Sequence, residues 1–338
     1  MTEKRQPRCG VVLVNTGSPA APVPEAVRDY LSRFLSDPRI APKTPAWPFI
    51  LKSFILPRRS KASAARYASI WTEAGSPLAV AHAAIERKLQ ERFDAAGDAV
   101  VVKTAYSYSK PFFEDALREL AALGVGKIVV LPLFPQTAFS QAAGTVVDAV
   151  DAACAQSAWD GELVFIDGYG DDPGYIAALV DAIRAAGFDP APESGHRLFL
   201  SYHSIPLADV EAGDDYPDQV ARTNALLADE LGIGADRWRA GFQSRFDKER
   251  SWVSPFSADV LERFACEDGG TLFFVCPNFA VDCLETLYDI PNELEPAYRR
   301  ALREAGRNDA GDVFVYVPCL NDSPAHIDVL FNLLKRHL

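Results

Sequence analysis

Short runs rich in β-branched and aromatic residues recur along the chain, separated by stretches whose apolar positions return every three to four residues. Eight runs read as strands: 10–17 (GVVLVNTG), 99–108 (AVVVKTAYSY), 127–135 (KIVVLPLFP), 162–169 (ELVFIDGY), 196–204 (HRLFLSYHS), 238–244 (WRAGFQS), 271–277 (TLFFVCP) and 312–318 (DVFVYVP). Near-continuous apolar character, rather than strict alternation, suits strands covered on both faces of a parallel sheet. Between them lie amphipathic stretches such as PFFEDALRELAALG and YPDQVARTNALLADELG, the second closing on Gly232 as a helix stop should. The pattern predicts an α/β fold of two similar doubly wound, Rossmann-like domains, each with a four-stranded parallel sheet, facing a central cleft.

The prediction of two related halves rests on an internal echo. The order strand, polar turn, Pro-Phe, acidic helix, strand and proline turn runs through 104–141 and again through 241–283, with Pro255-Phe256 matching Pro111-Phe112. The join GYGDDPGY at 168–175 is rich in Gly, Asp and Pro, which places a boundary near residue 170. The expected domains are therefore 1–170 and 171–338, the last helix packing back on the first. In open α/β sheets ligands bind at the carboxyl ends of the strands, so the chemistry is sought there.

Composition narrows the partners. The 338 residues are 49% hydrophobic and 24% charged with a net charge of −12, an acidic balance that argues against nucleic acid. The opening MTEKRQPRCGVVLV is charged and runs into a strand, unlike a signal peptide. No apolar stretch approaches the ~20 residues that span a bilayer. A cytoplasmic location is expected. Six cysteines are dispersed without a CxxC pair, which indicates neither a zinc site nor a disulfide framework and points to reduced core residues for most of them.

Several polar residues fall where strands run out. Asn15-Thr16-Gly17-Ser18 closes the first and reads either as a plain βα turn or as an anion-binding loop of backbone N–H groups. It lacks the glycine spacing of dinucleotide or P-loop sites. His203 ends the fifth run. It is either a structural residue or, with an ordinary imidazole pKa of ~6.5, a group that takes a proton or meets a metal. His196 opens the same run and belongs to its far end, His82 and His337 are expected on exposed helix faces, and His326 is given no role.

The stretch LFFVCPNFAVDCLETLYDI raises a question of charge. At about 100° per residue, Asp282, Glu285 and Asp289 fall within roughly 60° of one another, with Leu284 and Leu287 opposite. A helix macrodipole accounts for an acid in the first turn but not for Asp289, and a passing divalent cation would offset the mutual repulsion. The block PAWPFILKSFILPRRSK (45–61) is apolar with a basic end. It reads either as a buried helix with a solvated end or as an interfacial piece or pocket lip.

Together these segments resemble the ferrochelatase family, the enzymes that insert Fe²⁺ into a porphyrin. The resemblance is carried in order by VLVNTGSP, FLSDPRI, YASIWTEAGSPL, LPLFPQTAFSQAAG, LFLSYHSIP, FQSR with Trp252 and Pro255, and PNFAVDCLETLYDI. It implies that His203 and Glu285 are the catalytic, metal-engaging pair, that Asp282 and Asp289 flank the cation path, and that Tyr106, Tyr108, Trp252 and Ser18 border the macrocycle. It implies protoporphyrin IX and ferrous iron as substrates, no permanent cofactor, and peripheral association with the inner membrane face through residues 45–61. Within the same resemblance, a chelatase using coproporphyrin or cobalt and a non-catalytic tetrapyrrole or iron carrier remain as alternatives. Two departures stand out: Cys283 where many members carry histidine, and Tyr106-Ser107 where others carry an arginine before the tyrosine. The absence of any cysteine after Cys319 speaks against the [2Fe–2S] cluster of some members.

Overall fold

The computed structural model describes residues 9–41, 44–245, 250–267, 270–307 and 313–338; the charged start 1–8 and residue 312 of the last run lie outside them. Among the described residues eight strands form: β1 Cys9–Asn15, β2 Val100–Tyr106, β3 Lys127–Pro132, β4 Glu162–Phe165, β5 Arg197–His203, β6 Trp238–Gln243, β7 Leu272–Val275 and β8 Phe314–Tyr316. They build two all-parallel, four-stranded sheets of order β2-β1-β3-β4 and β6-β5-β7-β8. Burial explains why the pattern is readable. The inner strands β1 and β7 are buried at every position, whereas the edge strand β4 is exposed or half-buried throughout.

The chain divides into two compact units, residues 1–133, 139–168 and 322–338, and residues 134–138 and 169–321. In the first, the helix Pro77–Ala96 turns Leu78, His82, Ile85, Leu89 and Phe93 inward and stops at Gly97, whose φ of 74° is open to glycine at no steric cost. The helix Pro324–Lys335 belongs to this unit. Its Phe331 ring lies 4.9 Å from Phe93, and Lys335 pairs with Asp98 at 2.8 Å. His82 is 0% exposed, which corrects the expectation of a solvent-facing residue. Its place one turn from Leu78 and Ile85 puts it on the apolar stripe. His337, just past the last helix, is half-buried rather than exposed.

The block 45–61 forms a short α-turn at Trp47–Ile50, a π-turn at Leu51–Ile55 and the start of the helix Leu56–Ile70. Leu51 and Leu56 are buried, and the Trp47 indole N–H donates to the Leu35 carbonyl at 2.7 Å. Phe49 and Phe54 stand out at 68% and 52% exposure, beside exposed Lys52, Arg58 and Arg59.

The second unit gathers its core on stacked rings: Phe199 against Phe274 at 5.2 Å and Phe274 against Phe314 at 5.4 Å. Ile290, Leu294 and Tyr298 pack into the same cluster. The segment that carries the acidic residues is thus fixed to the sheet by apolar burial, of the order of 1.5–3 kcal/mol for each large side chain.

The two sheets are equivalent in detail. After β2 the Tyr106 N–H donates to the Pro111 carbonyl at 2.8 Å, and after β6 the Phe242 N–H donates to that of Pro255 at 2.9 Å. Since Tyr106 pairs with Asn15 and Phe242 with Tyr202, Asn15 corresponds to Tyr202, and the next residues, Thr16 and His203, correspond as well.

Candidate functional site

The carboxyl edge of the second sheet collects His203, Trp252 and the 282–294 segment. His203 is the last residue of β5 and is half-buried. Its Nδ1 lies 2.6 Å from the Ser204 carbonyl, an oxygen that can only accept, so Nδ1 carries a proton, and in the neutral ring the lone pair is on Nε2. The backbone there is clamped: Tyr216 Oη donates to the His203 carbonyl at 2.9 Å, and Asn278 Nδ2 donates to Tyr216 Oη at 3.2 Å. Burial, the main cause, holds the Tyr216 phenol far above its ordinary range, so it stays a donor.

Residues 251–253 run back along 205–207. Val253 N–H donates to the Ile205 carbonyl and Leu207 N–H to the Ser251 carbonyl, both at 2.9 Å. Ser204 Oγ donates to the Val253 carbonyl at 2.8 Å, tying this return to the residue after His203. Trp252 is thereby held beside the end of β5, 8% exposed, with the Arg250 guanidinium 4.9 Å from its ring centroid. Gln243, the register partner of His203, is 6% exposed and receives the Ser201 hydroxyl at 2.6 Å.

The acidic segment departs from the expected geometry. Residues Glu285–Leu294 form a π-helix, with the Glu295 N–H reaching back five residues to the Ile290 carbonyl. Pro291 lies inside it; a residue without an N–H is accommodated where the α-helical ladder is already interrupted. The stripe drawn at 100° per residue therefore does not form. The buried face runs through Asp282, Cys283, Thr286, Ile290 and Leu294, while Leu284, Glu285, Leu287 and Asp289 are all half-buried. Among the described residues, no group of three or more His, Cys, Asp or Glu is arranged to hold a metal ion.

Asp282 itself is 7% exposed and committed to neutral donors. Its carboxylate accepts from Tyr316 Oη at 2.6 Å, Asn321 Nδ2 at 2.7 Å and Thr286 Oγ1 at 2.9 Å. Burial first, and then the neighbouring Glu285 carboxylate, push the Cys283 thiol well above its ordinary pKa, which keeps it protonated. Tyr316, Asn321, Thr286, Tyr216 and Gln243 belong to this network without being among the residues the sequence points to. Only Thr286, inside the acidic stretch, offered a local signal.

The remaining candidates belong to the first unit and are buried there. Tyr106 is 7% exposed, its ring 5.3 Å from His82. Tyr108 is 4% exposed; its hydroxyl donates to Asp37 at 2.9 Å and its ring meets Phe34 edge-on at 5.1 Å. Ser18 is 7% exposed, and its N–H donates to Ser109 Oγ at 3.3 Å. The two tyrosine side chains pack within the first unit.

A family model for ferrochelatase matches residues 8–338. The chain belongs to the ferrochelatase family. It is 38% identical over 343 residues to the ferrochelatase of Teredinibacter turnerae, spanning 100% of this chain and 89% of that protein. It is 41% identical over 326 residues to the ferrochelatase of an Azoarcus species, spanning 96% and 86%. Among solved structures it is similar to SirB from Bacillus subtilis with Fe³⁺, with a TM-score of 0.57 over 97% of this chain and 95% of that one. At 13% identity that likeness concerns the fold alone. None of the described helices is long and apolar enough to cross a membrane.

Proposed function

We propose that this chain inserts Fe²⁺ into protoporphyrin IX, with His203 accepting a pyrrole proton and Glu285 engaging the metal or relaying the second proton. The observation that carries the assignment is the place of His203 at the end of β5 with Nδ1 2.6 Å from the Ser204 carbonyl: in the neutral ring Nδ1 donates there and the Nε2 lone pair is the one that can act as a base. A flat porphyrin hides its nitrogen lone pairs and holds two N–H protons, so insertion requires the ring to bend and both protons to leave. The strain draws on contacts with the rest of the macrocycle. In this reading Trp252 is one such contact and Asp289 lies on the approach to Glu285. The substrate iron arrives and departs, and no permanent cofactor takes part.

The exposed Phe49 and Phe54, flanked by Lys52, Arg58 and Arg59, support contact with an anionic membrane surface. Sedimentation with phosphatidylglycerol vesicles should be lost in a Phe49→Ser, Phe54→Ser variant, and equal sedimentation of both proteins would remove this contact. The activity is tested by mixing the protein anaerobically with Fe²⁺ and protoporphyrin IX and following absorbance. The expected result is a metalloporphyrin spectrum growing at a rate proportional to protein. Faster turnover of coproporphyrin III or of Co²⁺ would move the chain to the corresponding chelatase, and tight porphyrin binding without turnover would make it a carrier.

A further inference from the structure

Asp282 lies on the inner face of the acidic segment, where a cation route is not needed to explain it. Its three side-chain partners come from three places: Thr286 one turn on, Tyr316 at the end of β8, and Asn321 in the loop that follows. The backbone is engaged too, since the Asp282 N–H donates to Asn321 Oδ1 at 2.8 Å. Asn321 in turn donates its own N–H to the Ala280 carbonyl at 3.0 Å and its Nδ2 to the Cys319 carbonyl at 2.9 Å. Its φ of 48° is a left-handed conformation that asparagine tolerates better than most residues.

Thr286 closes the other side of the turn. Its hydroxyl donates to Asp282 and accepts the Cys283 N–H at 2.9 Å. Glu285 therefore sits in a turn pinned at Asp282 and Cys283 before it and at Thr286 after it, and that turn is bolted through Tyr316 to the edge strand of the sheet. Thr286 is fully buried, so water does not compete for these bonds.

We infer that Asp282 is a positioning residue, not a metal ligand: with Thr286, Tyr316 and Asn321 it locks the start of the π-helix and thereby aims Glu285. The inference rests on the proposed role of Glu285. The groups that donate to the Asp282 carboxylate are two hydroxyls and an amide, neutral donors that hold the turn by hydrogen bonds. Burial, with the Asp282 carboxylate as the second cause, raises the Cys319 thiol well above its ordinary range, and burial likewise raises the Tyr316 phenol. Both remain neutral, and Tyr316 remains a donor.

The test combines steady-state metal insertion with hydrogen exchange of the peptide spanning 280–294, in the full-length protein and in Asp282→Ala, Tyr316→Phe, Thr286→Val and Thr286→Ser. The expected result is faster exchange confined to that peptide in the first three variants. It comes with a fall in kcat of about 10- to 100-fold and a KM for Fe²⁺ within about twofold of wild type. Thr286→Ser, which keeps the hydroxyl, should restore most of both signals. A rise in the metal KM with unchanged exchange would overturn the inference in favour of a metal path. Faster exchange throughout the protein with unchanged kcat would reduce Asp282 to a stabilising residue and overturn it as well. If the wild type inserts no metal, the proposed function fails, while confined exchange in the variants still decides whether this lock exists.

Discussion

The two units share strand order, register and even the proline carbonyl that receives the N–H of each second strand, yet they end their strands differently. In the first, β1 closes on Asn15 and Thr16, and Gly17 follows with φ 88° at a point where a Cβ would collide with Ser109 and Tyr106. Tyr106 and Tyr108 then turn inward. In the second, the position of Thr16 is held by His203, and a π-helix carrying Glu285 follows β7. The same frame thus ends on Asn15, Thr16 and Gly17 in one copy and on Tyr202 and His203 in the other. Topology fixes where chemistry can stand; the residue at the strand end decides whether it does.

The sharpest way to break this contrast is to give the second unit the first unit's residue. His203→Thr should lower the insertion rate on the order of 10²–10⁴-fold, the usual worth of a positioned acid or base, while the unfolding midpoint stays close to wild type. Anaerobic rate assays and thermal unfolding read both. Next in size is the core beneath the π-helix. Phe274→Ala should cost about 3–5 kcal/mol in denaturant unfolding, whereas Val130→Ala at the equivalent position of the first sheet should cost less, about 1–3 kcal/mol. Equal losses would mean that the second unit draws no special support from its stacked rings.

The smallest effect separates the units by pH. His82 is fully buried, and neither ring nitrogen has a hydrogen-bond partner among the described residues. Burial chiefly, with His326 adding to it, lowers its pKa from 6.5 to about 3. Tyr106, against whose ring it packs, is held neutral by burial first and Glu86 second. The unfolded chain therefore takes up the proton before the folded one does. The stability from burying the neutral ring is complete above about pH 6.5 and declines as pH falls toward 3, with a limiting slope near 1.4 kcal/mol per pH unit. His82→Leu should flatten that decline between pH 6 and 4 without altering metal insertion at neutral pH. An unchanged slope would place the acid sensitivity elsewhere.

The eight strands were legible because inner parallel strands must be apolar on both faces, and that requirement writes itself as continuous runs. What the residues alone could not show is set by distance and winding. Asp282 reads as one of three acids on a single helix face until Tyr316 and Asn321, 34 and 39 residues away, take its oxygens. The stripe assumed α-helical winding, and Pro291 was the one local sign that the ladder would break. His82 was legible in principle, since it keeps the spacing of Leu78, Ile85, Leu89 and Phe93, but its polarity argued for the surface.

The claim on which the account turns is that the unprotonated Nε2 of His203 takes the pyrrole proton. Metal insertion by His203→Ala, measured with and without added imidazole across pH 6 to 8, tests it most directly. The account predicts near-background rates that recover in proportion to the concentration of free imidazole base, with the fold intact. Turnover by His203→Ala at the wild-type rate would contradict it.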